Sequence, residues 1–302
     1  MILVDNLLNI DRLNKTQVEE LIYLASSLKK DFPNINPVNP LQKKIILFLF
    51  LEPSTRTKTS FNFACSILGA NVIDISPMTS SMTKGESFEN TLKTLGSYPA
   101  DALVLRSDEN HHIDVAQNLL DFPVINAGSG TKSHPTQTLA DLMTLKEQGL
   151  SIEKLKISIV GDIEHSRVAR SLIEALNFFG SKINICAPEY FKPTDLSNIS
   201  YFEDLSEAIK DVDVLMTLRI QKERIKKSKI NFNEYSNKYM ITGKIMNEFN
   251  INYLMHPGPV NEGIEIDRGL QDSSKSLILE QVKNGTWIRC AVLLKILLDG
   301  KS

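Results

Sequence analysis

Four consecutive residues near the start of the chain have the chemistry of an anion-binding site. They are Ser54, Thr55, Arg56 and Thr57, and they follow a short apolar segment over residues 45–51. The first backbone N–H groups of a helix have no partners within it and carry the positive end of its dipole, so a helix that begins here can bind phosphate. A guanidinium adds two parallel donors, which a lysine cannot do. By itself the segment also fits an ordinary helix cap beside a surface arginine.

A second segment places an imidazole and an amide side by side after a predicted strand. The glycine-bearing residues 126–130 lead to His134, Pro135 and Gln137, just before a predicted helix. A histidine beside proline is commonly a turn residue. Near a phosphate site, however, the histidine could donate to a carbonyl oxygen and the glutamine oxygen could accept from an amide N–H.

Two segments in the second half of the chain suggest receptors for other polar groups. Alternation along residues 216–221 puts Arg219 and Gln221 on one face of a strand end, where they could hold a carboxylate. In residues 255–259, two prolines remove backbone donors and leave carbonyl oxygens that could receive an NH2 group. The polar residues 79–86 fit a surface loop whose Lys84 could close over a bound anion.

The elements that position these segments indicate an α/β fold of two domains, each with a mainly parallel sheet flanked by helices. Expected strands cover residues 45–51, 71–75, 102–106 and 124–127, then 156–162, 182–187 and 212–217. Helical spacing covers residues 16–25, 139–145 and 288–298, and residues 33–40 read as a linker. Because the carboxyl ends of parallel strands share one edge, the polar residues after them could line a crevice.

Composition excludes several classes of protein. A chain of 302 residues with a net charge of -2 is a poor general nucleic-acid binder. Cys65, Cys186 and Cys290 have no paired spacing, so we expect buried free thiols and no metal site. The N-terminus does not resemble a signal peptide and no apolar run approaches membrane-spanning length, so we expect a cytoplasmic protein with no membrane partner. The dinucleotide glycine fingerprint is absent after Val160, and no cofactor is expected.

Taken together, the motifs resemble the transcarbamoylase (aspartate/ornithine carbamoyltransferase) family nearly from end to end. They match in order and spacing, with Ser80 and Lys84 in the intervening loop. The matching segments are Phe50-Leu51-Glu52-Pro53-Ser54-Thr55-Arg56-Thr57, His134-Pro135-Thr136-Gln137-Thr138, Arg219-Ile220-Gln221-Lys222-Glu223-Arg224 and His256-Pro257-Gly258-Pro259. The resemblance implies two domains, residues 1–134 with 285–302 for carbamoyl phosphate and residues 135–284 for aspartate. It also implies transfer of the carbamoyl group of carbamoyl phosphate to L-aspartate, giving N-carbamoyl-L-aspartate and phosphate in pyrimidine synthesis.

The resemblance also implies a role for each motif residue. Arg56, Thr57, Arg106, His134 and Gln137 would be catalytic. Carbamoyl phosphate would be bound by Ser54, Thr55, Arg56, Thr57, Ser80, Arg106, His134, Gln137, Pro257, Gly258 and Pro259. Aspartate would be bound by Lys84, Arg167, Arg219 and Gln221. Glu52 would pair with Arg167 and Arg224 on domain closure.

The family implies a homotrimer with shared active sites, in which Ser80 and Lys84 come from the neighbouring subunit. Regulatory or dihydroorotase chains are possible further partners. Two residues depart from many relatives: Lys58 replaces an arginine, and so does Glu262, whose reversed charge could alter domain closure.

Two alternatives stay open at this stage. An ornithine carbamoyltransferase shares the phosphate motif, but its cationic acceptor needs an acidic receptor, whereas this chain has Arg219 and Gln221. The other alternative is a non-catalytic scaffold bound to another pyrimidine enzyme.

Overall fold

The computed structural model describes residues 5–32, 39–194, 197–221 and 231–299, and its contacts divide the chain into two units. The first unit holds residues up to 143 and from 282 onward, and the second holds residues 144–281. The chain passes between the units within two helices, residues 135–147 and 278–294. Residues 33–38 of the expected linker lie outside the described part of the chain.

The first unit is a four-stranded parallel sheet with the order β2-β1-β3-β4. Its strands are β1 (Ile45–Phe50), β2 (Asn71–Ile75), β3 (Ala102–Ser107) and β4 (Val124–Ser129). Its helices are α1 (Lys15–Asp31), α2 (Thr55–Leu68), α3 (Phe88–Gly96), α4 (His112–Leu119), most of α5 (Pro135–Glu147) and most of α10 (Ile278–Leu294). Strands β1, β3 and β4 are almost fully buried because helices cover both faces of a parallel sheet.

The second unit is a five-stranded parallel sheet with the order β7-β6-β5-β8-β9. Its strands are β5 (Lys156–Val160), β6 (Lys182–Cys186), β7 (Ser200–Phe202), β8 (Val214–Thr217) and β9 (Tyr253–Met255). Its helices are α6 (Arg167–Phe179), α7 (Leu205–Ala208), α8 (Phe232–Tyr239) and α9 (Gly243–Glu248). The α/β fold class is as expected, and the short strands β7 and β9 are additions to the expected set.

Both sheets contain a point at which the strand order reverses, and ligands of open α/β sheets bind at such points. In the first sheet, β1 leads to β2 on one side and has β3 on the other. In the second sheet, β5 leads to β6 on one side and has β8 on the other. The segments that follow β1, β3, β5 and β8 are therefore the ones most favourably placed to bind ligands. They include Ser54 to Thr57, Arg167, Arg219 and Gln221.

The apolar core accounts for the remaining expectations about the chain. Cys65, Cys186 and Cys290 are free and buried, as expected, and burial raises the pKa of each thiol to about 12. Most of α10 belongs to the first unit, where Cys290 Sγ lies 4.0 Å from the carbonyl oxygen of Ala64 in α2. Among the described residues, no helix is long and apolar enough to cross a membrane.

Candidate active site

The anion-binding segment lies where β1 turns into α2. Ser54 is the N-cap residue, with an extended backbone (φ -156°, ψ 100°), and α2 begins at Thr55. The Ser54 side chain makes no capping hydrogen bond within the described residues, although Ser54 occupies the N-cap position. Thr55 and Arg56 are exposed, and Thr57 is buried. The first turn of α2 therefore presents backbone donors and one exposed guanidinium together.

Arg106 approaches the same strand end from β3. Phe50 and Arg106 are paired in register, and the Leu51 N–H donates to the Arg106 carbonyl at 2.8 Å. The Arg106 guanidinium donates to the Ala127 carbonyl at 3.1 Å and lies 3.1 Å from Glu52 Oε2. These contacts join the ends of β1, β3 and β4 and fix the guanidinium. Glu52 therefore contacts Arg106 here, while its expected partner Arg224 lies outside the described residues.

Thr57 and His134 are brought together although 77 residues separate them. Thr57 Oγ1 lies 3.4 Å from His134 Nε2, and the two residues are only 6% and 4% exposed. Thr57 is also held through its carbonyl, which accepts from Ser60 Oγ at 2.9 Å. A hydroxyl and an imidazole held at one buried point can direct hydrogen bonds at a single substrate atom.

Gln137 lies in the first turn of α5, close behind His134. Its Nε2 donates to Asp141 Oδ1 at 2.8 Å, and Asp141 is completely buried. Sequence reasoning missed Asp141; the signal is an acid four residues after Gln137, which is the same-face spacing of a helix.

Ser80 and Lys84 lie in short 3-10 turns between β2 and α3. Ser80 caps the second turn: its Oγ accepts from the Met82 N–H at 3.3 Å and donates to the Pro77 carbonyl at 3.0 Å. Lys84 is exposed and is followed by Gly85, which has the left-handed φ of 89°. The segment is an ordered surface turn that presents a lysine.

In the second unit, Arg219 and Gln221 contact each other after the end of β8. Arg219 Nη2 donates to Gln221 Oε1 at 3.2 Å, so the two side chains share one side, as their alternation predicted. Arg219 is half-buried, which limits the solvent screening of its charge.

A buried carboxylate holds this pair in place. Asp162, which follows β5, accepts from the Gln221 N–H through Oδ2 at 3.3 Å. Its Oδ1 lies 2.8 Å from His165 Nδ1 and accepts from the His165 N–H at 3.1 Å. Burial raises the pKa of Asp162, and His165 with these hydrogen bonds opposes that shift. This role of Asp162 was not predicted from the sequence.

Arg167 is the first residue of α6 and is 8% exposed. The neighbouring turn is rigid, because Ser166 caps α6 by accepting from the Ala169 N–H at 3.2 Å. Arg170 pairs with Glu164 at 2.8 Å on the same turn. Arg167, at the start of α6, and the Asp162–Gln221 contact therefore follow the ends of β5 and β8, at the reversal point of the second sheet.

The proline-rich loop follows β9 and is braced by buried groups. His256 Nδ1 accepts from the Gly258 N–H at 2.8 Å, and the His256 N–H donates to Gln281 Oε1 at 3.0 Å. Gly258 has the only backbone N–H among Pro257, Gly258 and Pro259, and this bond uses it. Glu262 is exposed, a few residues further on. The described residues contain no cluster of three or more metal-ligating side chains.

Comparison with known families accounts for both units. Residues 5–147 match the aspartate/ornithine carbamoyltransferase, carbamoyl-P binding domain, and residues 153–296 match the Asp/Orn binding domain of the same family. The chain belongs to the aspartate/ornithine carbamoyltransferase family.

Several relatives of this chain are aspartate carbamoyltransferases, which are also called aspartate transcarbamoylases. Catalytic subunits from Solibacter usitatus and a Roseiflexus species are 39% and 40% identical, cover 96% of this chain, and are themselves covered over 98% and 94%. An aspartate transcarbamoylase from Trypanosoma cruzi, in complex with N-(phosphonacetyl)-L-aspartic acid, has a TM-score of 0.91 at 29% identity over 97% of this chain and 96% of that one. The catalytic subunit of M. jannaschii aspartate transcarbamoylase has a TM-score of 0.88 at 31% identity, covering 99% and 100%.

Proposed function

We infer that this chain works as the catalytic chain of an aspartate carbamoyltransferase. It transfers the carbamoyl group of carbamoyl phosphate to the amine of L-aspartate and releases phosphate. The observation that carries this assignment is the Arg219–Gln221 pair at 3.2 Å, because a cationic receptor suits an acidic acceptor and repels the cationic side chain of ornithine. Relatives named for this activity cover nearly the whole chain and support the same choice.

The first unit binds the phosphate group. Ser54, Thr55 and Thr57 supply backbone N–H groups and hydroxyls at the start of α2, and Arg56 adds its guanidinium. Arg106, fixed by its bonds to Ala127 and Glu52, contributes a second cation. Phosphate is the leaving group, so these contacts stabilise negative charge that grows as the bond breaks.

The carbamoyl oxygen is bound by Thr57, Arg106 and His134, whose donors stabilise the oxyanion formed when the amine attacks. His134 acts as a neutral hydrogen-bond donor. The carbamoyl NH2 group is bound by Gln137 Oε1 and by the backbone carbonyls of Pro257 and Gly258, with Pro259 shaping that loop.

The aspartate carboxylates are bound by the second group of cations. Arg167 takes the α-carboxylate, Arg219 and Gln221 take the side-chain carboxylate, and Lys84 contacts both. Glu52 with Arg167 and Arg224 serves domain closure. This division explains why one anion site and one carboxylate receptor occur in the same chain.

No side chain is required as a general base, because the departing phosphate can accept the proton of the amine. Catalysis then depends on orientation and electrostatics, and held geometry alone can supply roughly 7–11 kcal/mol. Neither a metal ion nor an organic cofactor enters this scheme.

We further propose that the chain forms a cytoplasmic homotrimer that serves pyrimidine biosynthesis, with Ser80 and Lys84 donated by the neighbouring subunit. The exposure of Lys84 on an ordered turn supports this arrangement. Subunit exchange between Lys84→Ala and Arg219→Ala trimers should restore part of the activity, since some sites would then receive both native residues. No recovery from trimers shown by mass to have exchanged would contradict shared sites.

A phosphate-release assay tests the reaction itself. The chain is supplied with carbamoyl phosphate together with aspartate, with ornithine, or with no amine. We expect phosphate and N-carbamoyl-L-aspartate in equal amounts with aspartate only. Release of phosphate with ornithine but not with aspartate would overturn the assignment and favour an ornithine enzyme. No release with either amine would overturn it in favour of a non-catalytic scaffold.

A further inference from the structure

A buried carboxylate determines which way the Gln137 amide faces. Gln137 Nε2 donates to Asp141 Oδ1 at 2.8 Å, one helical turn along α5, and Asp141 is completely buried. An ionised carboxylate offers only acceptors, so only the NH2 end of the amide can hydrogen-bond to it. The amide oxygen therefore lies at the opposite end of the group. Asp141 thus fixes the Gln137 amide so that its acceptor oxygen, and not its NH2 group, faces away from Asp141.

Asp141 interacts electrostatically with a second buried residue, Arg289 of α10. Arg289 is 3% exposed, and its guanidinium carbon lies 5.0 Å from the centre of the Phe61 ring of α2. Burial lowers the pKa of Arg289 to about 10, and the charge of Asp141 opposes that shift, so Arg289 remains a cation at neutral pH. Breaking such a buried pair by removing one partner is unfavourable, because the other charge is left uncompensated.

The helix makes room for this cation at Gly285. The Arg289 Nη1 donates to the Gly285 carbonyl at 2.7 Å, and a Cβ atom at position 285 would lie 2.5 Å from that nitrogen. The guanidinium thus occupies the space that any side chain at position 285 would need. Gln137, Asp141, Arg289 and Phe61 all belong to the first unit, so the arrangement is complete within one folded body.

We propose that Asp141 is a positioning residue that gives the site its preference for a carbamoyl group. It orients the Gln137 amide so that Oε1 accepts from the carbamoyl NH2, and Arg289 balances its charge from α10. This inference rests on the proposed contact between Gln137 and the carbamoyl group. It follows that Asp141 matters for a substrate with an NH2 group and not for one with a methyl group in its place.

Acetyl phosphate provides the matched probe, because it keeps the phosphate and the carbonyl but replaces NH2 by CH3. The experiment measures the KM for carbamoyl phosphate and the inhibition constant of acetyl phosphate competing with it. The variants are Gln137→Ala, Asp141→Leu and Asp141→Asn. We expect the first two variants to raise the KM for carbamoyl phosphate roughly tenfold, which is the effect of one lost polar contact. The inhibition constant of acetyl phosphate should stay unchanged.

Asp141→Asn should restore part of the preference, because an asparagine oxygen can still accept from Gln137 Nε2. If Asp141→Leu fails to fold, the double variant Asp141→Leu with Arg289→Met removes both charges together and keeps the core apolar. It should lose the same preference as the single variant.

The outcomes separate the two claims. If Gln137→Ala lowers the preference for carbamoyl phosphate and the leucine variants do not, the role of Asp141 is overturned while that of Gln137 stands. If the leucine variants lose affinity equally for carbamoyl phosphate and acetyl phosphate, Asp141 has a structural role only, and the proposal is also overturned. If Gln137→Ala leaves the preference unchanged, the proposed role of Gln137 fails, and the inference built on it fails too.

Discussion

The two crevices of this chain lie at corresponding places in their sheets but are built in different ways. The first follows β1 and uses consecutive residues, Ser54 to Thr57, at the start of a single helix. The second follows β5 and β8 and joins groups far apart in sequence, because Asp162 holds the backbone of Gln221 across 59 residues. An inorganic anion can be bound by a local turn and a helix end, whereas a dicarboxylate needs charges separated in space.

The crevices also differ in what lies beneath the binding groups. In the first, Thr57 and His134 are themselves buried and contact each other. In the second, the half-buried Arg219 is positioned through its neighbour Gln221 by a buried carboxylate. The first crevice should therefore respond to substitution mainly in turnover, and the second mainly in affinity for the acceptor.

The largest effect should come from the first crevice. His134→Ala should lower kcat by roughly 10²–10³, the usual cost of removing one donor to a developing oxyanion. Steady-state kinetics with both substrates would measure it, with His111→Ala, at an exposed histidine, as the matched control. Near wild-type turnover in His134→Ala would break the comparison, because the buried pair would then have no catalytic part.

The next largest effect should come from the acceptor receptor. Arg219→Ala should raise the KM for aspartate by roughly 10- to 100-fold, because it removes a charged hydrogen bond to a carboxylate. The KM for carbamoyl phosphate should remain nearly constant. Arg268→Ala, at an exposed arginine of the same unit, is the control. Unchanged aspartate kinetics would remove Arg219 from the site.

A smaller effect should follow when the hydrogen bond between the Gln221 N–H and Asp162 is removed. Asp162→Ala should raise the KM for aspartate several-fold, by roughly the value of one hydrogen bond, and leave the KM for carbamoyl phosphate unaffected. The measurement is the ratio of the two KM changes. If both constants change equally, Asp162 supports the fold and not the receptor specifically.

The same carboxylate should leave a signature in the pH dependence of stability. Because burial raises the pKa of Asp162, its contribution to stability is fully present below its unfolded-state pKa and is lost as pH rises through the folded pKa. Asp162→Asn cannot ionise and should escape that loss. Urea unfolding should show the stability of Asp162→Asn relative to wild type increasing as pH rises above about 4, the ordinary carboxyl range. A difference that is constant with pH would contradict a raised pKa.

The smallest effect should come from substitution of Lys58, which stands where many relatives have arginine. Lys58 Nζ lies 2.6 Å from Asp74 Oδ2, but their side chains are 33% and 44% exposed. Lys58→Ala should therefore change the free energy of unfolding by less than about 1 kcal/mol. Lys58→Arg should be neutral in both stability and turnover, with Lys93→Ala as an exposed control. A large loss of activity in Lys58→Arg would mean that this position touches the phosphate crevice.

The contrast between the crevices also explains what the sequence could predict. The apolar strands and the segment after β1 are local patterns, so the α/β class and the start of α2 near Ser54 followed from spacing alone. The resemblance of whole motifs supplied the remaining candidates, including Arg106 and Arg167. Their roles remain predictions, as do the pairing of Glu52 with Arg167 and the effect of Glu262.

Asp141 and Asp162 were missed because their importance arises from the fold. Each is a buried acid whose partner is fixed by packing: Gln137 across one helical turn, and the Gln221 backbone across two neighbouring strands. Short strands such as β7 and β9 escaped for a related reason. Three residues at a sheet edge carry too little periodicity to stand out.

The most direct test of the two-crevice account is a crystal structure of the chain grown with phosphate and succinate, a dicarboxylate that lacks the reactive amine. The account predicts phosphate at the start of α2, within hydrogen-bond distance of the backbone of Thr55 to Thr57 and of the Arg106 guanidinium. It predicts a succinate carboxylate on Arg219 and Gln221. Succinate at the start of α2, or phosphate on Arg219 with the α2 site unliganded, would contradict it.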